Sequence, residues 1–142
     1  MPSSSDLQRF ITAQSSDYAT ALAEIKAGRK RSHWMWYIFP QIQGLGFSET
    51  AKFYAIRDQQ EAEAYRQHPV LGARLVEISQ ALLGLPGADA NRIMGSPDDI
   101  KLKSSMTLFG ALSGADPVFQ QVLDKFFGGA ADTKTLQLLG QA

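Results

Sequence analysis

One short segment of the chain, residues 29–41, carries most of the side chains that could bind a charged ligand. It holds three consecutive cations, both tryptophans of the chain and one of its two histidines. Guanidinium and ammonium groups bind phosphate or carboxylate, an indole offers a face for stacking, and histidine can move a proton near neutral pH. The segment therefore predicts a site for a nucleotide or another anionic aromatic ligand. Its candidate residues are Lys30, Arg31, His33, Trp34, Trp36 and Gln41.

A second group of polar side chains lies later in the sequence, around Lys101. On a helix, Lys101, Ser104 and Ser105 stand three and four positions apart and therefore share one face. An ammonium group and two hydroxyl groups on one face could hold an anion together. We expect these three residues to complete the site if the two stretches meet in space.

Both groups also have an interpretation that involves no ligand. Large aromatic residues commonly fill the core of a domain, and a run of cations after Gly28 is common on a solvated turn. Lysines and serines at helical spacing commonly face water, while Asp98 and Asp99 suit the positive end of a helix. His33 is either a group for proton transfer or a buried, hydrogen-bonded histidine. The sequence leaves these interpretations open.

Two classes of function follow from these residues. In the first, a small anionic ligand, such as a nucleotide or sugar phosphate, binds in a basic and aromatic cleft. In the second, the chain is a non-enzymatic interaction domain whose exposed tryptophans anchor a protein partner. Nucleic-acid binding is disfavoured, because 14 lysines and arginines balance 14 aspartates and glutamates. Whether the chain is an enzyme is left open, with His33 as the candidate for catalysis.

Composition and motifs argue against several other kinds of site. The chain has no cysteine and only two histidines, His33 and His68, so we predict no metal site. It has no glycine-rich phosphate loop, no dinucleotide fingerprint, and neither an HExxH nor a GxSxG motif. His68 precedes Pro69, where helix capping explains it. We therefore expect no cofactor.

Helix-capping signals recur along the chain, whereas alternating strand patterns hardly appear. One helix is predicted from Asp6 and a second after Asp17, ending at Gly28. A third is predicted from Ser48 through Ile56. The later helices are predicted to start near Asp58, Pro69, Asp89, Ser96, Asp116 and Asp132.

The apolar spacing places the core. Leucine and isoleucine recur at helical intervals in one long helix, at Leu71, Leu75, Ile78 and Leu82. We expect this helix to be central. Residues 34–39, an aromatic run before Pro40, fit either a helical turn or a short buried strand.

These elements predict an all-α protein with one compact domain of about seven or eight short helices. The domain is expected to span residues 6–142, after a disordered tail at residues 1–5. With 142 residues and an apolar fraction of 44%, the chain can bury one core. The start lacks the pattern of a secretory signal and no run of about 18 apolar residues occurs, so we expect a cytoplasmic protein with no membrane contact.

Several stretches of the sequence also match a known pattern. They are GRKRSHWMWYIFPQ at 28–41, GLG at 44–46, HPVLG at 68–72, KLKSSMTLF at 101–109 and LDKFF at 123–127. These stretches resemble the bacterial domain-of-unknown-function family 1810, over about residues 7–139. The resemblance implies a small, mainly helical single domain without an established activity. Some members carry a calpastatin-like label, but such calpain inhibitors are disordered, whereas this chain has core-forming periodicity throughout. No catalytic residue is transferred by the resemblance.

Overall fold

Helices account for nearly all the regular secondary structure of residues 4–140, the part of the chain that this computed structural model describes. In chain order they are α1 (Ser4–Lys26), α2 (Met35–Ile38), α3 (Glu49–Tyr54), α4 (Gln59–Gln67), α5 (Leu71–Leu83), α6 (Ala90–Met94), α7 (Asp98–Gly110), α8 (Val118–Phe127) and α9 (Thr133–Leu138). The predicted all-α single domain is confirmed. Residues 1–3, which belong to the predicted tail at residues 1–5, lie outside the described part, and that tail stays a prediction.

Most of the predicted helix starts carry the expected side-chain caps. The side chains of four residues each accept a hydrogen bond from a backbone amide in the first turn: Ser48, Asp58, Asp89 and Asp132. His68 caps α5, because its Nδ1 accepts from the amides of Val70 at 3.1 Å and Leu71 at 3.2 Å. A helix does start near Ser96, but the cap predicted there was wrong, since α7 begins at Asp98 without a side-chain cap.

The predicted break at Asp17 was also wrong, because α1 runs through it without interruption. Asp17 accepts a hydrogen bond from the Tyr37 hydroxyl, so its carboxylate binds another element and does not cap its own. Phe10, Ala21 and Ile25 lie on one buried face that continues across the position. This long face packs against α5 and α2.

The core lies where α1, α4 and α8 pack against α5, with α7 packed against α8. The four residues predicted for the core face of α5 are all buried: Leu71, Leu75, Ile78 and Leu82. Buried aromatic rings continue the core in a line, with centroid distances of 5.1 Å for Phe10–Tyr65, 5.2 Å for Tyr65–Phe109 and 6.0 Å for Phe109–Phe119. Between residues 4 and 140, no helix combines the length and the apolar character needed to cross a membrane. The cytoplasmic location stays a prediction.

The segment from α2 to α4 departs most from this regular packing. The aromatic run at residues 34–39 forms the single helical turn α2, one of the two predicted alternatives. α3 ends at Tyr54 instead of continuing to Ile56, and none of its side chains is buried. Ile56 is instead buried in an isolated parallel bridge with Ile42. α3 is therefore a surface helix that rests on α2 and leaves room beside it.

Candidate functional site

The loop between α1 and α2 is organised by one carboxylate, that of Glu24 near the end of α1. Its Oε1 accepts hydrogen bonds from the Arg31 amide at 2.7 Å, the Ser32 amide at 3.0 Å and the Trp34 Nε1–H at 2.9 Å. Its Oε2 accepts from the Ser32 hydroxyl at 2.6 Å. Because charge-assisted hydrogen bonds are strong, these four contacts hold the loop in one shape. Glu24 therefore positions the basic and aromatic residues that follow it.

These contacts change the acidity of Glu24. Burial by itself raises the pKa of the carboxyl group, but the hydrogen bonds from Ser32, Arg31 and Trp34 outweigh it and lower the pKa from 4.5 to about 2. The folded pKa thus lies below that of the unfolded chain. The resulting stabilisation is fully present above pH 4.5 and is lost as the pH falls from 4.5 towards 2.

We therefore predict that Glu24→Gln lowers the free energy of unfolding by about 1–2 kcal/mol near neutral pH, allowing for the part of the carboxylate that water screens. The difference between the two proteins should shrink at about pH 3.5, where the ionised group already contributes less. Urea denaturation at both pH values measures it. The control is Glu49→Gln, an exposed carboxylate on α3, expected to change stability by less than about 0.5 kcal/mol. An equal difference at both pH values would contradict the assignment.

Lys30 is a paired cation in the interior of this loop. Its side chain is only 7% exposed, and its Nζ lies 2.9 Å from Asp98 Oδ2. The ammonium also donates to the Ser32 carbonyl and lies 4.9 Å from the centre of the Trp34 ring. A buried charge requires such partners, because transfer of an unpaired ion from water is very unfavourable. The two candidate segments thus meet in space. What joins them is the ion pair between Lys30 and Asp98 of α7.

Trp36 and Lys101 form a second contact between the segments. Lys101 Nζ lies 5.4 Å from the centre of the Trp36 ring and 3.7 Å from Asp98 Oδ1. Both residues are half-buried, so each keeps a part that faces solvent. Arg31 and His33 are exposed. Among the residues predicted from the sequence, Arg31 and His33 are therefore the most open to a ligand.

The other predicted site residues lie deeper or have structural roles. Trp34 is 1% exposed, so its ring faces the core instead of solvent. Ser104 and Ser105 are buried because α7 turns this face towards the core. The Ser104 hydroxyl lies 3.3 Å from the Asp132 carboxylate, while that of Ser105 is hydrogen-bonded to none of the described residues. Gln41 is half-buried in the connection after α2.

An open groove of about 730 Å³ lies between α2 and α3, and we call it the α2–α3 groove. Its first wall is formed by His33, Trp36 and Tyr37. The wall on the side of α3 is formed by Glu49, Thr50, Lys52, Phe53 and Tyr54. The groove therefore combines aromatic rings, one ammonium group, one carboxylate and one imidazole in a space of the size that small ligands occupy.

Tyr37 lines this groove, and its hydroxyl donates to the Asp17 carboxylate on α1. Burial and the hydrogen bond to the Asp17 carboxylate raise the pKa of the Tyr37 hydroxyl well above its ordinary value. A phenol with a raised pKa keeps its proton at neutral pH and does not act as a base. Tyr37 is therefore not a candidate base, and a role for His33 in proton transfer stays a prediction.

Comparison with known proteins identifies the family. The sequence model of the family described as protein of unknown function (DUF1810) matches residues 4–139. The chain belongs to the DUF1810 family. A crystal structure of the conserved hypothetical protein Rv1873 from Mycobacterium tuberculosis is similar: it is 46% identical, covers 95% of this chain and 96% of its own, and superimposes with a TM-score of 0.93. A search of curated proteins finds no match.

The α3 wall of this DUF1810 protein's groove was not predicted from the sequence. Phe53 belonged only to the helix predicted from Ser48 through Ile56, and it is 60% exposed. No role was predicted for Lys52, Glu49 or Thr50. The sequence held no clear signal for this surface position, because Phe53 and Ile56 are three residues apart, as on the buried face of a helix.

The described part of this DUF1810 protein, residues 4–140, contains no group of three or more acidic or histidine side chains placed to hold a metal ion. Asp17 binds Tyr37, and Asp98 binds Lys30 and Lys101. The carboxylates near the candidate residues are thus engaged with protein donors. The chemistry that the α2–α3 groove offers is stacking, hydrogen bonding and charge pairing.

Proposed function

We propose that this protein binds a small anionic ligand in the α2–α3 groove. The observation that carries the proposal is the combination of Trp36, His33 and Lys52 around one open space. An indole ring supplies area for stacking, and an ammonium group pairs with phosphate or carboxylate. A volume of about 730 Å³ falls within the range of small-molecule sites.

Two other cations, which lie near the groove but do not line it, also support binding of an anion. Lys101 approaches the Trp36 ring from α7. Its Nζ lies 3.7 Å from Asp98 Oδ1, which is a long distance for an ion pair. Arg31 is exposed in the loop that precedes His33. In this proposal Lys101 and Arg31 raise the local positive potential, while Lys30 and Trp34 support the loop before α2 from the interior. Ser104 and Ser105 face the core from α7 and do not touch the ligand. Gln41 lies in the connection that leads from α2 to α3.

The competing proposal is a surface for a protein partner. Trp34 cannot anchor a partner in this conformation, because its ring is buried. Exposed phenylalanines favour this alternative instead, since Phe47 is 81% and Phe53 60% exposed. Large exposed aromatic residues are common at interfaces. The ligand proposal makes fuller use of the groove, because it also accounts for the imidazole and the ammonium group.

Ligand binding is tested by isothermal titration calorimetry with AMP, ribose 5-phosphate and inorganic phosphate. We expect binding of at least one of these anions, and Lys52→Ala should weaken it about tenfold through loss of a charge-assisted hydrogen bond. The matched control is Lys134→Ala, which makes the same change of net charge on α9, away from the groove. If none of the three anions binds, or if both variants weaken binding equally, the proposal fails.

A further inference from the structure

The composition of the α2–α3 groove narrows the class of ligand. Its lining is dominated by rings, from Trp36, Tyr37, Phe53, Tyr54 and His33. A sugar phosphate offers a smaller and less planar apolar face than a nucleobase, so it gains less from such walls. Any planar nucleobase can stack on aromatic side chains, because every base has a π face.

Phe53 is the ring most available for stacking. It is 60% exposed, and its only aromatic contact among the described residues is an edge-to-face one with Tyr54, at 4.8 Å between centroids. α3 buries none of its own side chains, so the orientation of Phe53 does not serve the packing of that helix. Its ring is left open to the groove that it lines.

Contacts from α1 hold the Phe53 wall in place. Arg9 Nε donates to the Phe53 carbonyl at 2.8 Å, and Arg9 Nη2 donates to the Ala55 carbonyl at 2.9 Å. The guanidinium is itself paired with the buried Glu61 carboxylate at 3.0 Å. These bonds anchor the carboxyl end of α3 to the core. A backbone fixed in this way loses little conformational entropy when a ligand binds beside it.

The charges of the lining limit how much negative charge the ligand carries. Lys52 supplies one positive charge and Glu49 one negative charge to the lining, while Lys101 and Arg31 add positive charge only from outside it. A triphosphate would bring several negative charges that these walls do not neutralise. A single phosphate can pair with Lys52, while the Glu49 carboxylate can accept a hydrogen bond from a ribose hydroxyl or an exocyclic amine.

On these observations, and resting on the proposed function, we infer that the α2–α3 groove takes a nucleoside monophosphate, with Phe53 as a specificity-determining stacking residue. The base stacks on the rings of the groove and the phosphate pairs with Lys52. Sugar phosphates lack the stacking contact, and nucleoside triphosphates carry charge that the lining leaves uncompensated.

Titration calorimetry with AMP, ribose 5-phosphate and ATP tests this class against its rivals. We expect AMP to bind about tenfold more tightly than ribose 5-phosphate, as loss of one stacked base implies, and ATP to bind no more tightly than AMP. Phe53→Ala should lower the affinity for AMP about tenfold and leave that for ribose 5-phosphate unchanged. Phe47→Ala is the matched control, because Phe47 is also an exposed phenylalanine near α3 but does not line the groove.

Circular dichroism and thermal melting of both variants check that they fold as the parent does. If ribose 5-phosphate binds as tightly as AMP, or if ATP binds more tightly, the proposed function stands and the inferred ligand class is wrong. Equal loss of AMP affinity in the Phe47 and Phe53 variants overturns the role of Phe53. If none of the compounds binds, the proposed function fails, and the inference fails with it.

Discussion

Trp34→Ala should lower the free energy of unfolding by about 3–5 kcal/mol, as is usual when a buried large aromatic ring is removed. Trp34 is 1% exposed, and its Nε1–H donates to Glu24 at 2.9 Å. Its ring also lies 4.9 Å from the Lys30 ammonium. The substitution therefore opens a cavity and removes a hydrogen-bond donor from the Glu24 carboxylate. It also removes the aromatic ring that contacts the buried Lys30 ammonium. Urea denaturation followed by far-ultraviolet circular dichroism measures the loss.

The chain offers a closely matched control in Trp36→Ala, two positions away. Trp36 is half-buried beside the α2–α3 groove, so its removal leaves no closed cavity. We expect it to cost about 1–2 kcal/mol and to weaken ligand binding instead. Trp34→Phe separates two effects, because it keeps most of the apolar volume and removes only the indole donor to Glu24. If Trp36→Ala proved more destabilising than Trp34→Ala, the assignment of one tryptophan to the core and one to the groove would be wrong.

Gly72→Ala should also be strongly destabilising, and we expect it to lower the free energy of unfolding by about 3 kcal/mol or more. A Cβ atom on Gly72 would lie 2.1 Å from the carbonyl oxygen of Arg66, which is backbone and cannot move aside alone. Gly72 lies in the first turn of α5, against the end of α4. Alanine is the better helix former by about 1 kcal/mol, so propensity alone predicts the opposite sign. Thermal and urea denaturation show directly whether the substitution lowers or raises the stability of the protein.

Gly84→Ala, at the C-cap of the same helix, provides the comparison. Gly84 has a φ of −78°, which alanine adopts readily, and the nearest atom to its added Cβ would be at 3.6 Å. We expect stability to be unchanged or raised by up to about 1 kcal/mol, because alanine reduces the freedom of the unfolded chain. Similar losses for both glycine variants would show that the close approach of α4 and α5 is not what Gly72 provides.

The helix starts are the part of the fold that the sequence predicted best. Ser48, Asp58, Asp89 and Asp132 cap helices because their side chains bond amides only a few residues away. His68 belongs with them. Such signals act over one turn, so neighbouring residues are enough to recognise them. Asp17 shows the limit of this reasoning: it has the residue type of a cap, but its partner is Tyr37 in another element.

The candidate site was predicted in part. The sequence predicted candidate residues in two segments, 29–41 and the one around Lys101. The structure joins the two segments through Asp98, which pairs with Lys30 and Lys101. The sequence could not show which cation would be buried, since the pairing joins residues far apart in the chain. Nor could it show that Trp34 turns inwards while Trp36 lines a groove. The two rings occupy one short stretch, and only the packing of α1, α2 and α7 distinguishes them.

By itself, the sequence determined that this is an all-helical domain, where most helices begin, which face of α5 forms the core and which family the chain belongs to. Those properties depend on local capping and on helical periodicity, which a linear sequence displays directly. Only the tertiary structure decided that Lys30, Trp34, Ser104 and Ser105 are interior residues and that Lys52 and Phe53 line the open groove. The reason is physical: exposure and charge pairing depend on elements that meet only when the chain folds.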